Sequence, residues 1–218
     1  MRSYNPEIAS AHQRAAQEDP WIMYLIVRKD FTGSSEDLLV EVARAALQAE
    51  RVFAEDPEHL DAFNSWWDES FRKVCLKATT AHWQVLAEEL PSVVNGAVLA
   101  CVPFQRSQAS KLLKKQQVLT SMDLSENRPK AALLTYWMLE DMSLGKQAAQ
   151  IAHAALKFSV EHQIDPQLLA ALPAQVIFCA DPAEADTSDC LVSEIQDAGL
   201  TEVEAGTLTA VATLPKED

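Results

Sequence analysis

Short apolar runs and longer stretches with apolar residues at helical spacing follow each other along the chain. In the first half, the run "WIMYLIVRK" predicts a strand, and "SEDLLVEVARAALQAERVF" predicts a helix with one apolar side. Residues rich in Pro, Gly, Ser and Asp separate such segments. We therefore predict a helix at 6–18, a strand at 21–29, a helix at 35–53, a shorter helix within 56–71, a strand at 72–79, a helix at 81–90 and a strand at 95–104.

The second half repeats this order. We predict a strand at 131–139, helices at 143–162 and 165–172, a strand at 174–180, and two last strands around the turn "TEVEAG". Strands that alternate with helices indicate an α/β fold with a partly parallel sheet. The polar stretch 121–130 contains a proline and suits a boundary, so we divide the chain into residues 1–123 and 124–218.

The two halves also match in letters. "VRKDFTGSSEDLLVEVARAAL" aligns with "WMLEDMSLGKQAAQIAHAAL" through a shared ending, AxxA(R/H)AAL. Internal duplication is one interpretation. Chance similarity between two alanine-rich helices is the other.

Composition indicates a folded, reduced protein. Of the 218 residues, 48% are hydrophobic, and the longest apolar run near the start is too short to span a bilayer. The four cysteines are widely spaced and form no CxxC pair, which argues against a zinc site and against disulfides. We expect a cytoplasmic protein without metal or cofactor and without a membrane partner.

The charge speaks against nucleic-acid binding, since phosphate contacts need clustered cations. The formal net charge is −14, with −4 in residues 1–123 and −10 in residues 124–218. One segment differs. No acid occurs between Glu89 and Asp123, and this gap holds four basic residues, Arg106, Lys111, Lys114 and Lys115. They form either a solvated helix face or a contact for RNA.

One polar stripe lies on the helix predicted at 143–162. Lys146, Gln150, His153 and Lys157 recur at spacings of four, three and four. Lys146 falls in the first turn after a candidate N-cap, Ser143, where the helix end already carries about half a positive charge. A solvent face is the plain interpretation. The alternative is an anion-attracting corner, suited to a phosphate or a developing oxyanion.

A second group of candidates lies in "IQDAGLTEVEAGTLT", residues 195–209. Asp197 ends a predicted strand and is followed by a turn sequence, so its side chain either forms the turn or belongs to a site. Thr207 and Thr209 alternate along the last strand. An acid at a strand end and a lysine at a helix start can meet at one edge of an α/β sheet, where such folds place their sites.

Together, "MSLGKQAAQIAHAAL" and "IQDAGLTEVEAGTLT" resemble the type 2 peptidyl-tRNA hydrolase family, which has segments close to M-G-K-G-K-x-A-A-Q-x-x-H-A and D-A-G-(K/R)-T-Q-x-x-P-G-T-x-T. The resemblance implies an α/β domain around a four-stranded mixed sheet and metal-independent hydrolysis of the ester between a peptide and tRNA. It places the family's catalytic residues on Lys146, Asp197 and Thr209. It places further substrate-binding residues on Gln150, His153 and Thr201.

Several positions depart from the family pattern. Leu200 replaces its basic residue, Glu202 its glutamine and Ala205 its proline. These changes add negative charge beside the site and weaken the expected contact with a tRNA backbone.

The first half resembles the same family, but without its site residues. Asp37, Glu41 and Arg44 stand where the lysine, glutamine and histidine would be, and the alignment puts Pro103 in place of the aspartate. We interpret it as a degenerate copy, and we expect two α/β units with roughly four-stranded mixed sheets and flanking helices, packed as a pseudo-dimer.

The sequence thus leads to one mechanistic hypothesis. Asp197 orients or deprotonates a water, Lys146 stabilises the oxyanion, and Thr209 holds the water or the carbonyl. Two alternatives stay open: a non-catalytic RNA- or protein-binding member of the fold, and a hydrolase of another acyl ester that contains no nucleic acid.

Overall fold

The computed structural model describes residues 19–126, 132–199 and 202–216, so the helix predicted at 6–18 lies outside it. The first half comprises β1 (Trp21–Arg28), α1 (Ser35–Phe53), α2 (Leu60–Ser65), a π-helical turn (Trp66–Ser70), β2 (Arg72–Ala78), α3 (Thr80–Glu89), β3 (Ser92–Asn95), β4 (Val98–Cys101), β5 (Phe104–Gln105), a 3-10 turn (Arg106–Gln108), α4 (Lys111–Lys114) and β6 (Gln117–Val118). The second half comprises β7 (Leu134–Leu139), α5 (Leu144–His162), α6 (Pro166–Ala171), β8 (Ala174–Cys179), a 3-10 turn (Pro182–Glu184), β9 (Cys190–Gln196) and β10 (Leu208–Pro215).

The α/β prediction is confirmed, with two mixed sheets. The first sheet has the order β3-β4-β1-β2-β6, and β5 also pairs with β1. The second has the order β9-β10-β7-β8. In each sheet the first two strands of the half are parallel and the remaining pairs are antiparallel. Four strands of the first half therefore correspond, one for one, to the four strands of the second.

The prediction of a single strand at 95–104 is wrong. The chain instead forms the hairpin of β3 and β4, with Asn95 opposite Val98 and Gly96 at φ 55°. The two turn residues are Gly96 and Ala97, and glycine is the residue that a two-residue hairpin turn favours at its first position when φ is positive there. The alignment of Pro103 with Asp197 is wrong as well. Pro103 lies between β4 and β5, which both pair with β1. The turn that corresponds to the one between β9 and β10 is the turn between β3 and β4.

The two long helices pack against each other between the sheets. α1 contacts α5 and also strands of both sheets, and α5 contacts β2 of the first half as well as β7, β9 and β10. Both helices bury alanines, among them Ala45, Ala46, Ala152 and Ala155, which leave room for close packing. One cluster of buried apolar side chains accordingly includes residues from both halves.

A segment of the first half crosses the start of α5. The carbonyl oxygen of Thr120 accepts a hydrogen bond from the Leu144 N–H at 3.2 Å. Gly145 faces the same segment, and a Cβ at this position would overlap the carbonyl oxygen of Leu119. The close approach of the two halves at this point therefore requires glycine.

Replacing Gly145 tests this approach. In a solvated helix, Gly→Ala stabilises by about 1 kcal/mol, because alanine has the higher helix propensity. We expect Gly145→Ala to destabilise the protein by about 1–3 kcal/mol instead, because backbone atoms of residue 119 must move. Urea unfolding at constant pH measures the difference, and a gain in the free energy of unfolding would contradict the contact.

Candidate functional site

Lys146 meets a carboxylate at the start of α5. Ser143 caps the helix, its hydroxyl accepting a hydrogen bond from the Lys146 N–H at 3.3 Å. The Lys146 ammonium forms an ion pair with Oδ2 of Asp197, and their side chains are only 13% and 4% exposed. A lysine in a first turn opposes the helix dipole, and a buried carboxylate in contact offsets that cost.

Both the main chain and the side chain of Asp197 are hydrogen-bonded. Its main chain bonds across the turn between β9 and β10, donating to the Thr207 carbonyl at 2.8 Å and accepting from the Gly206 N–H at 2.7 Å. Its Oδ1 accepts from the Gly199 N–H at 2.7 Å, while Oδ2 accepts from Lys146 and from the Gln150 amide. The carboxylate therefore has a fixed orientation, and three donors occupy most of its four lone-pair positions.

Gln150 and His153 extend this network toward the first half. Because the Gln150 amide nitrogen faces Asp197, its Oε1 faces Nδ1 of His153, at 3.2 Å. Nε2 of His153 lies 3.1 Å from the carbonyl oxygen of Phe71, and the two rings stack with centroids 5.2 Å apart. Both ring nitrogens thus face oxygen atoms, an arrangement that a protonated imidazole satisfies by donating twice.

The network borders a cleft between the two halves, with a volume of about 260 Å³. The second half contributes the start of α5 and residues 195–198. The first half contributes residues 71–75 and 118–120. The cleft thus has polar groups on one side and mostly apolar ones, such as Val74, Val118 and Leu119, on the other.

The side chain of Glu202, which comes from the segment between β9 and β10, lies at the start of α5. Its carboxylate accepts hydrogen bonds from the Ser143 N–H at 2.7 Å and from the Ser143 hydroxyl at 2.5 Å. An acid here interacts favourably with the helix dipole. Lys146 makes this corner attractive for an anion, and the Glu202 carboxylate already lies there. Glu202 also lines the cleft.

The other predicted site residues lie elsewhere. Thr209 is fully buried, donates to the Ile195 carbonyl at 3.2 Å at an irregularity between β9 and β10, and does not line the cleft. Lys157 donates to the Glu194 carbonyl at 2.7 Å and pairs with Glu161. Thr201 lies outside the described residues.

The four basic residues of the predicted RNA contact are exposed. They lie on the 3-10 turn, on α4 and directly after it, in a segment that continues into residues 118–120 of the cleft. Arg72 lines the cleft, and burial lowers the pKa of its guanidinium. The positive charge of Arg106 lowers this pKa further. Positive charge therefore extends from the cleft along this segment.

Sequence reasoning missed Phe71 and Lys73. Phe71 follows the π-helical turn with φ 51°, a strained value for an aromatic residue, and this backbone presents its carbonyl to His153. Lys73 lines the cleft and is 7% exposed. Its position in "RKVCLKA" was the available signal, because it alternates with Cys75 and so points to the buried face of the strand.

The corresponding corner of the first half has different chemistry. There Asp37 follows the cap residue Ser34, and Glu41 accepts a hydrogen bond from the Ala97 N–H at 2.8 Å. Burial raises the pKa of Glu41, although the bond from Ala97 opposes this. Arg44 donates to the Leu172 carbonyl at 3.1 Å, across to the second half, as His153 does toward Phe71.

Other site classes find little support among the described residues. All four cysteines are unpaired, and burial raises the pKa of Cys75, which lines the cleft, to about 12. Over residues 19–126, 132–199 and 202–216, no group of three or more His, Cys, Asp or Glu residues is placed to hold a metal ion. In the same ranges, every helix is too short or too polar to cross a bilayer.

Comparison with known proteins adds no relative. No model of a protein family matches the chain, and no curated protein matches it either. The similarity to type 2 peptidyl-tRNA hydrolases therefore rests on the two segments that contain Lys146 and Asp197.

A double-mutant cycle tests the ion pair. Removing one partner of a buried pair leaves the other uncompensated, so we expect Lys146→Met and Asp197→Asn each to lower the free energy of unfolding by about 3 kcal/mol. The double variant should lose less than the sum, with a coupling of about 0.5–3 kcal/mol. The exposed pair Arg51–Glu55 is the control and should show less than about 1 kcal/mol. Additive losses at Lys146 and Asp197 would contradict the contact.

Proposed function

We propose that the cleft hydrolyses an acyl ester, and that this ester joins a peptide to the 3′ end of tRNA. The observation that carries the proposal is the contact between Lys146 and Asp197, made from two segments far apart in the chain and placed beside a cleft of about 260 Å³. The reaction type follows from these groups, and the choice of tRNA follows from the resemblance of their segments to the hydrolase family.

Lys146 supports the step in which charge develops. When water adds to an ester carbonyl, the carbonyl oxygen becomes an oxyanion, and an ammonium held by Asp197 at the start of α5 can donate to it. One such donor is worth roughly 10²–10³-fold in rate. Gln150 keeps the carboxylate oriented, so the ammonium stays at the edge of the cleft.

The two walls suit the two parts of the substrate. The apolar side chains of the first half offer a surface to an acyl group or a peptide side chain. The exposed cations at residues 106–115 precede the cleft-lining residues 118–120 in the chain and can contact phosphates of the RNA.

A second candidate substrate is an acyl ester without a nucleic acid. Glu202 favours it, because this carboxylate lies on the cleft and repels phosphate. The net charge of −14 acts in the same direction.

A cleavage assay on purified protein tests the function. We expect turnover of peptidyl-tRNA, a loss of roughly 10²–10³-fold with Lys146→Ala, and a steep fall in rate as salt rises. Turnover of small esters that hardly changes with salt would favour the second candidate. If neither substrate is cleaved, or if Lys146→Ala has the parent rate, the proposal fails and a binding role takes its place.

Glu202→Gln separates the two candidates further. The amide removes one negative charge beside the cleft and keeps one acceptor for Ser143. We expect kcat/KM for peptidyl-tRNA to rise several-fold at low salt, with the gain vanishing at high salt, because the gain is electrostatic. The rate with an uncharged small ester should stay within twofold. An equal change for both substrates would point to an altered α5 start rather than to phosphate repulsion.

A further inference from the structure

A second lysine lies in the cleft, and it comes from the first half. Lys73 of β2 is 7% exposed and lines the cleft. Its Nζ donates to the Phe71 carbonyl at 3.1 Å, the same oxygen that faces His153. The nitrogen also lies over two aromatic rings, 3.5 Å from the centroid of Phe71 and 4.6 Å from that of Trp66.

Burial favours the uncharged amine, whereas the faces of the two rings, which attract a cation, act against it. Burial lowers the pKa of Lys73 well below the value of a free lysine, and it outweighs Cys75 and Glu50, which act in the opposite direction. A neutral amine can donate one N–H to the carbonyl and turn another to a ring, which leaves its lone pair to accept a proton.

The residue expected to act as the base is poorly suited to it. The Asp197 carboxylate already accepts from the Lys146 ammonium, the Gln150 amide and the Gly199 N–H, and its side chain is 4% exposed. These three donors occupy most of the lone-pair positions of the carboxylate, which leaves little room for a water to donate to it. His153 is likewise engaged, because both of its ring nitrogens face oxygen atoms.

We propose that Lys73 is the general base of the cleft, accepting the proton of the attacking water. This inference rests on the proposed ester hydrolysis. The water oxygen forms a bond to the carbonyl carbon as its proton passes to Nζ of Lys73, and the carbonyl electron pair moves to the oxygen beside Lys146. When the tetrahedral intermediate collapses, the bond to the alcohol oxygen breaks, and the Lys73 ammonium returns the proton to that oxygen. Acid and alcohol leave, and the amine is restored.

This assignment makes both halves necessary for the reaction. The oxyanion side belongs to α5 of the second half, and the proton acceptor belongs to β2 of the first. The first half lacks the lysine, glutamine and histidine of the family's helix segment. In this assignment it instead supplies the general base, Lys73, to the second half.

Substitution and chemical rescue in the full-length protein test the assignment. We expect Lys73→Ala to lower kcat/KM for the ester by roughly 10²–10⁴-fold. Lys73→Arg should be equally impaired, because a guanidinium stays protonated and so cannot accept the proton of the water. Methylamine should restore activity to Lys73→Ala in proportion to the concentration of its free base. Lys77→Ala is the control, on the same strand but outside the cleft, and should keep the parent rate with no response to methylamine.

A labelling measurement is independent of activity. An amine-reactive ester should modify Lys73 with a rate that rises at lower pH than the rate for Lys77, as followed by mass spectrometry of the parent protein. Full activity of Lys73→Arg, absence of rescue, or a common pH profile for the two lysines would overturn the assignment. If the parent protein cleaves no ester, the proposed function itself fails. If it does, and the Lys73 variants match it, only the base is misassigned.

Discussion

The packing of α1 against α5 between the two sheets is the constraint on which the rest of the structure depends. Each helix covers its own sheet and reaches the other, so neither half has a separate set of buried side chains on its inner face. Buried alanines on both helices allow this close approach. Since the start of α5 is thereby brought to β2, the cleft exists only because the halves share one core.

That arrangement also explains how the polar network is oriented. Asp197 fixes Gln150, the orientation of Gln150 determines which atom faces His153, and His153 reaches the Phe71 carbonyl across the boundary between the halves. The strained backbone of Phe71 is what turns this oxygen toward the second half. A change at any member therefore alters hydrogen bonding in both halves, which is the expected behaviour of a connected buried network.

Much of the fold could be predicted from local pattern, and less of the site. The apolar periodicity of α1 predicted its limits correctly, because it is a local property. The β3–β4 hairpin was missed because its two turn residues, Gly96 and Ala97, stand at the start of the run that was interpreted as a single strand. The segments of Lys146 and Asp197 were recognisable by their letters. Phe71 and Lys73 were not, because their importance comes from contacts with the other half, and β2 read by itself is an ordinary buried strand.

The two equivalent corners of the molecule show which features packing requires and which it does not. In both, a side chain at the middle of the long helix donates to a carbonyl of the opposite half: Arg44 to Leu172 and His153 to Phe71. This contact joins the halves and can be made by either side chain. The ion pair of Lys146 with Asp197 occurs at one corner only, whereas the other has Asp37 and the Glu41–Ala97 bond. Packing therefore accounts for the shared contact but not for a buried lysine and carboxylate, which cost desolvation energy that a hydrophobic pair would avoid. The ester hydrolysis proposed for that corner is a role for which such a cost has a purpose.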